Sequence, residues 1–384
     1  MRELDVIIAH YEEAKKGNQP IVLATVVHVE GSSYRRAGAR MVVDEMGNMI
    51  GAISGGCLEG DALRKALHAL HQNQNRLVTY DTSDEDDAVI GAQLGCNGVI
   101  QVLFEPIDFH SAVNPIEILK EAQVNRRSIV GTFFHLDRTK KQPGTSFWLN
   151  EAHQVKGHVD PIVEPQLKID GTLAFRQGTS LFREYLIERS SQYVFLELLK
   201  PPLKLVLVGA GNDAQVTAQM AELLGWDIII ADGRPTHAKT DRFVSSCQVI
   251  VSKPEEVLDK VEIDERTAFV LMTHNYHYDL AVLKVLLEHK DLVYVGVLGP
   301  KKKYDRMLDE LKLQGSELTD QKLSRVYAPV GLELGAETPS EIALSILAEI
   351  QAAFTATQGS FLKKKQGPIH QKKNNEFRQV VVTS

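Results

Sequence analysis

Two short stretches hold the residues best suited to chemistry. In "ISGGCLEGD", residues 53–61, Gly55 and Gly56 stand directly before Cys57, and an apolar-periodic segment follows. Glycines accept the positive φ that turns successive amides toward one point, so the pair could form a backbone nest for an anion. Cys57 would fall at the first turn of a helix, where the dipole favours thiolate, with Glu59 and Asp61 opposing that in part. In "GSSYRRAGAR", residues 31–40, Ser32, Ser33, Arg35, Arg36 and Arg40 form a phosphate-friendly set of hydroxyls and guanidinium forks. Cys96, in "QLGCNG", is also set among glycines. From chemistry alone either cysteine could equally be a small, buried and inert residue. No histidine or acid/base pair stands beside either one, so a hydrolase or protease has little support.

The second half carries "LKLVLVGAGNDAQVTAQMAELLGWDIIIADGR". An apolar strand runs into Gly209, Ala210 and Gly211, and a helix follows with Ala214, Ala218 and Ala221 on one face. A second strand ends in Asp232, 21 residues after Gly211. Gly209 permits the tight turn, Gly211 lets amides approach a pyrophosphate at the helix N-terminus, and Asp232 can take ribose hydroxyls. This keeps open an NAD(P)-dependent oxidoreductase or a dinucleotide-sensing protein. Asp213 would repel a pyrophosphate, and can serve instead as a helix-start acid. In "MTHNYHYD", His274 and Asn275 would face the cleft, with His277 and Asp279 on the following helix. Helix capping and a polar cleft wall outweigh a metal role there, and His274 is the one plausible proton donor for an oxidoreductase. In "LGPKKKYDRM", Lys301 to Lys303 crowd a first helical turn, a signal for a phosphate-bearing ligand.

The elements that must position these groups follow from periodicity. A helix covers the first 16 residues and ends at Gly17; "PIVLATVVHVE" reads as a strand and "ARMVVDEMGNMIGAIS" as a hairpin turning at "MGN". "LEGDALRKALHALHQ" carries Leu63, Leu67 and Leu70 at helical spacing. "RLVTYDT", "GVIQVLFEPI", "RSIVGTFFHL" and "TSFWL" read as further strands, whose order between about residues 114 and 195 the pattern does not give. "LKPPLK" marks a boundary, beyond which apolar strands alternate with helices, as in a parallel sheet covered on both faces. "AETPSEIALSILAEIQAAF" opens on a capping box, with Thr338 as cap, Pro339 first and Glu341 third. The expected fold is α/β. An N-terminal α+β domain with a mixed sheet spans 1–198, a Rossmann-like doubly wound domain spans 203–355, and 356–384 form a basic, flexible tail.

A chain of 384 residues exceeds the usual span of one core. Its apolar content of 43% and charged content of 24% are ordinary for a soluble globular protein. A net charge of −7 argues against general nucleic-acid binding, and no apolar run reaches the length of a membrane helix. Three irregularly spaced cysteines, with no secretory signal, point to a reducing cytoplasm.

"ATVVHVEGSSYRRAGARMVV", "GAISGGCLEGD" and "LGCNGVIQVLFEP" resemble the N-terminal domain of the xanthine dehydrogenase accessory protein (XdhC/CoxI) family. "VGAGNDAQVTAQMAELLGWDIIIADGR", "MTHNYHYDLAVLKVLL", "YVGVLGPKKK" and "APVGLELGAETPSEIALSILAEI" resemble its C-terminal Rossmann domain. The resemblance spans roughly residues 20–106 and 203–351. It implies a maturation factor: a chaperone that binds molybdenum cofactor, holds it while a cysteine desulfurase-type sulfurtransferase adds sulfur, and delivers it to a xanthine dehydrogenase-type molybdoenzyme. It also implies a homodimer. Carried onto this chain, Cys57 becomes the contact to molybdenum or its sulfur and Cys96 a second candidate. Arg35, Arg36 and Arg40 would face the pterin phosphate, and Gly209, Gly211 and Asp232 would serve the Rossmann site. The chain departs from the family pattern at Asn97, Asn212 and Pro300-Lys301.

Overall fold

A computed structural model describes residues 3–31, 33–81, 98–124, 127–187, 190–244, 246–366 and 376–382. The chain divides into two compact units, Arg2–Pro201 with Lys365–Ser384, and Pro202–Lys364. The break falls between the two prolines of "LKPPLK".

The first unit opens with α1 (Glu3–Gly17), β1 (Ile21–Gly31), β2 (Arg40–Asp44), β3 (Met49–Gly51), α2 (Glu59–Gln72), β4 (Arg76–Asp81) and β5 (Gly98–Pro106). Their strands form one antiparallel sheet in the order β3-β2-β1-β5-β4. β1 is buried over its first nine residues because both faces are covered. Val22, Ala24 and Val26 pack toward α2, whereas Ile21 and Leu23 pack with Ile7 and Tyr11 of α1, the period of two that a strand imposes. The closest contacts of α2 come from Ala62, Ala66 and Ala69 rather than from the expected leucines, of which Leu63 and Leu70 are half-buried. Small side chains let the helix backbone lie low on the sheet.

The unit continues with α3 (Pro115–Val124), β6 (Ser128–Phe134), β7 (Gly144–Asn150), β8 (Val155–Gly157), α4 (Glu164–Gln177), β9 (Leu181–Ile187) and β10 (Ser190–Leu199). These strands build a second sheet, so the unit has two. Val27, Leu77 and Leu103 of the first sheet pack on Phe134, Phe182 and Phe195 of the second.

The second unit contains β11 (Lys204–Val208), α5 (Asn212–Leu223), β12 (Asp227–Asp232), β13 (Cys247–Val251), β14 (Thr267–Leu271), α6 (Tyr276–Glu288), β15 (Tyr294–Val297), α7 (Lys301–Leu313), α8 (Asp320–Leu323), β16 (Val326–Tyr327) and α9 (Pro339–Thr355). Its sheet is parallel, in the order β13-β12-β11-β14-β15-β16. This is the doubly wound order, whose reversal between β11 and β14 leaves a crevice at the strand carboxyl ends. Separate apolar clusters cover its two faces. The capping box at Thr338 and Glu341 forms as its sequence requires.

The tail departs from expectation. β17 (Arg378–Val382) adds to the second sheet of the first unit, parallel to β9, giving the order β17-β9-β10-β6-β7-β8. Phe377 enters an aromatic cluster, 4.3 Å from the His28 ring and 4.8 Å from Tyr193, centroid to centroid. The run from Phe377 to Val382, with three consecutive valines, therefore has an edge to pair with, which the basic composition around it disguises. No helix among the described residues is long and apolar enough to cross a membrane.

Candidate functional site

The glycine–cysteine loop is built between two buried anchors. Ile53 and Leu58 are wholly buried on either side, so Gly55, Gly56 and Cys57 form the tip. Ser54 organises that tip. Its Oγ accepts the amides of Gly56, Cys57 and Leu58, each at 3.1 Å, and its hydroxyl donates to the Glu59 carboxylate. Glu59 Oε1 in turn accepts the Ser54 amide at 2.9 Å and Oε2 the Leu58 amide at 3.1 Å. Burial works against the Glu59 charge, but the bonds from Ser54 and the amides hold its pKa below the usual range. The Gly56 amide, one of the pair expected to cradle an anion, is thus spent inside the loop, together with those of Cys57 and Leu58. Cys57 itself is half-buried, packed beside the core under α2, with Sγ 3.5 Å from Ser54 Oγ.

Gly56 has φ +109° and open space where a Cβ would be, whereas a Cβ on Gly55 would come 3.3 Å from the Tyr34 ring. Tyr34 belongs to the "SSYRR" loop, so the two sequence-singled loops meet at Gly55. Three anchors fix that loop. Arg35 pairs with Glu3, whose other oxygen accepts the Ala52 amide at 3.2 Å. Gly38 donates its amide to Val26 O at 2.8 Å. Arg40, expected to face a phosphate, is buried in β2, ion-paired to Glu197 of β10 and bonded to Gly38 O at 2.9 Å. Its charge is consumed tying the two sheets together, which corrects that assignment. Arg36 and Tyr34 are exposed and Ser33 is half-exposed. Ser32 and Cys96 lie outside the described residues. Of the other cysteines, Cys247 sits in β13, where burial and then the Glu222 charge push its thiol up to about 11. Among the described residues no cluster of three or more His, Cys, Asp or Glu could hold a metal ion.

In the second unit the glycine-rich turn forms as its spacing requires. Gly209 has φ +125°, and a Cβ there would collide with Met272 O at 2.5 Å, so this turn and the one after β14 touch. Gly211 precedes α5, with no side-chain cap on the helix. His274, expected in the cleft, adopts φ +58° and brings Nε2 3.5 Å from Asp213 Oδ2. Asn275 caps α6, accepting the amides of His277 and Tyr278. Of the three lysines expected to signal a phosphate, Lys303 is committed: its Nζ lies 2.7 Å from the wholly buried Asp279, which also accepts the Thr273 hydroxyl. Asp232 is not left open for a ribose. It accepts Ala210 N at 2.7 Å, Arg234 N at 2.8 Å, and the Arg234 guanidinium at 3.0 and 2.7 Å. Burial opposes its charge, but these bonds hold its pKa below the usual carboxylate range. Arg242 crosses the same turn, with Nη1 2.8 Å from Ala210 O and Nη2 3.3 Å from Asn212 Oδ1.

Sequence reasoning missed Ser54, Tyr34, Arg234 and Arg242. Only Arg234 carried a local signal, two residues after the acid in "ADGR".

Residues 205–350 match the XdhC Rossmann domain model and residues 14–81 the XdhC and CoxI family model. A Bacillus subtilis protein described as a probable component of xanthine dehydrogenase is 31% identical over 90% of this chain and 95% of its own. The molybdenum cofactor insertion chaperone PaoD of Escherichia coli is 26% identical over 88% of this chain and 85% of its own. The crystal structure of a xanthine dehydrogenase from Bacillus halodurans superposes with a TM-score of 0.72 at 29% identity, covering 94% of this chain and 98% of that one. The chain belongs to the XdhC and CoxI family.

Proposed function

We propose that this chain is a maturation factor that carries molybdenum cofactor to a xanthine dehydrogenase-type molybdoenzyme. One observation carries the assignment: Cys57 is a half-buried thiol in a glycine loop that the Ser54 hydroxyl braces through the amides of Gly56, Cys57 and Leu58. A soft sulfur donor on a braced tip suits molybdenum or its terminal sulfur, and a carrier needs one releasable contact rather than a closed cage. The name of the Escherichia coli relative supports the same role. Gly55 and Gly56 keep side chains away from the approaching cargo. Ser33, Arg35 and Arg36 flank the tip as the phosphate-facing set, with Ser32 and Cys96 kept as candidates and Arg40 left to its ion pair. A cysteine desulfurase-type sulfurtransferase would supply the sulfur while the cofactor is held, and the working form would be a cytoplasmic homodimer.

The test is co-expression with the cofactor's biosynthetic enzymes, purification, and fluorimetric assay of bound pterin after oxidation. Cys57→Ala should carry at least tenfold less pterin than wild type, and Cys247→Ala should match wild type. Equal pterin in Cys57→Ala and wild type would sink the site assignment.

A second function is supported by the turn at Gly209 and Gly211: the cleft of the second unit binds a dinucleotide of the NAD(P) class. His274, paired with Asp213 across the mouth, would border that ligand. Calorimetric titration with NAD and NADP checks it, and no binding of either at millimolar concentration removes it.

A further inference from the structure

We infer that the cleft of the second unit selects a nucleotide whose ribose bears a phosphate, and that Arg234 is the residue that selects it. The inference rests on the dinucleotide assignment above and adds its specificity. Asp232 stands at the carboxyl end of β12, where an unencumbered acid would accept the two ribose hydroxyls. Here each of its oxygens already receives two N–H groups: Oδ1 from the Arg234 amide and Nε, Oδ2 from the Ala210 amide and Arg234 Nη2. A carboxylate has about four lone-pair sites, and all are taken. A ribose diol arriving at this point finds no acceptor.

A phosphate finds donors. Arg234 spends two of its five N–H groups on Asp232, and the remaining three sit on a side chain 47% exposed. The bidentate pair also cancels the carboxylate charge that would repel a phosphate. A second observation points the same way. Ser252 continues the neighbouring strand β13, and its amide bonds Asp232 O at 3.2 Å. Its hydroxyl is buried and has no hydrogen-bond partner among the described residues. A buried hydroxyl left unpaired is costly unless a ligand completes it. Lys253, exposed, follows it directly. One end of the cleft therefore holds a guanidinium with three N–H groups to spare beside a silenced acid, which is the chemistry of a ribose phosphate site.

The test uses the full chain and four probes: NADP, NAD, adenosine 2′,5′-bisphosphate and 5′-AMP, each titrated by calorimetry. NADP should bind at least tenfold tighter than NAD, and the bisphosphate should exceed 5′-AMP by a similar factor, because a charge-assisted contact is worth about one to two decades of affinity. Arg234→Ala should abolish that ratio, with NADP affinity falling at least tenfold and NAD affinity unchanged or higher, because one lone pair on each Asp232 oxygen returns to the ribose hydroxyls. The bisphosphate comparison on the wild-type protein guards against a variant that misfolds. Equal or tighter binding of NAD overturns the inference but leaves the dinucleotide assignment standing. Binding of none of the four overturns both, and the pterin assay on Cys57 is independent of either result.

Discussion

At the scale of single residues, the two glycines before Cys57 do different work. Gly56 lies in a backbone region that side chains rarely adopt, with nothing near its missing Cβ. Gly55 is restricted by the Tyr34 ring instead, and that ring is exposed and able to yield. Gly56→Ala should therefore cost about 1–2 kcal/mol from the left-handed backbone alone. Gly55→Ala should cost less than about 1 kcal/mol, and removing Tyr34 as well should erase the difference. Urea titrations of the three variants read these values; equal losses for both glycines would contradict the distinction. A loss beyond about 3 kcal/mol at Gly55 would show that Tyr34 is held by something stronger than its packing on the loop.

At the scale of elements, the first unit is held by polar groups buried between its strands. Glu105 of β5 is bonded to the Thr145 amide at 2.6 Å and hydroxyl at 2.9 Å, at the start of β7. Burial pushes its pKa up to about 7, against those two bonds and the charge of Arg40. The folded state thus keeps a proton that the unfolded chain loses near 4.5. Because the folded state binds the extra proton, stability must fall as pH rises from about 4.5 to about 7, then level off. The fall from this group is at most about 3 kcal/mol. Glu105→Gln should flatten that part of the profile in urea titrations across the range; an unchanged slope would mean that Glu105 titrates normally.

The same elements explain what could be read from sequence. The capping box at Thr338 is local: every partner lies within a few residues, so spacing alone predicts it. Arg40 is the opposite case. Its partner Glu197 is 157 residues away, and an arginine in a basic loop looks the same whether it faces solvent or the core. Ser54 escapes notice because a serine beside two glycines reads as a turn former, although its hydroxyl serves three amides. At Asp232 the spacing places an acid at the end of β12, but does not show Arg234 folding back on it.

At the scale of the whole molecule, the first unit takes the sixth strand of its second sheet from chain that follows the second unit in sequence. Phe377 reaches the rings of His28, Phe134, Phe182 and Tyr193 just before that strand begins. Phe377→Ala should lower the stability of the first unit by about 1–3 kcal/mol, since the ring is only half-buried, and leave the second unit unchanged. Hydrogen exchange should show faster opening of β9 and β10 and unchanged protection of β11 and β14. Protection lost equally in both units would mean the strand stabilises more than the sheet it joins.

The position of β17 also has a consequence for synthesis. The ribosome completes β9 and β10 long before residues 378–382 exist, because all of the second unit is translated in between. At about 5–20 residues per second, the edge of β9 waits roughly ten seconds or more without its neighbour. During that time it is a bare strand edge, open to any extended segment, including the same edge on a neighbouring nascent chain. The first unit to be made is the last to be finished.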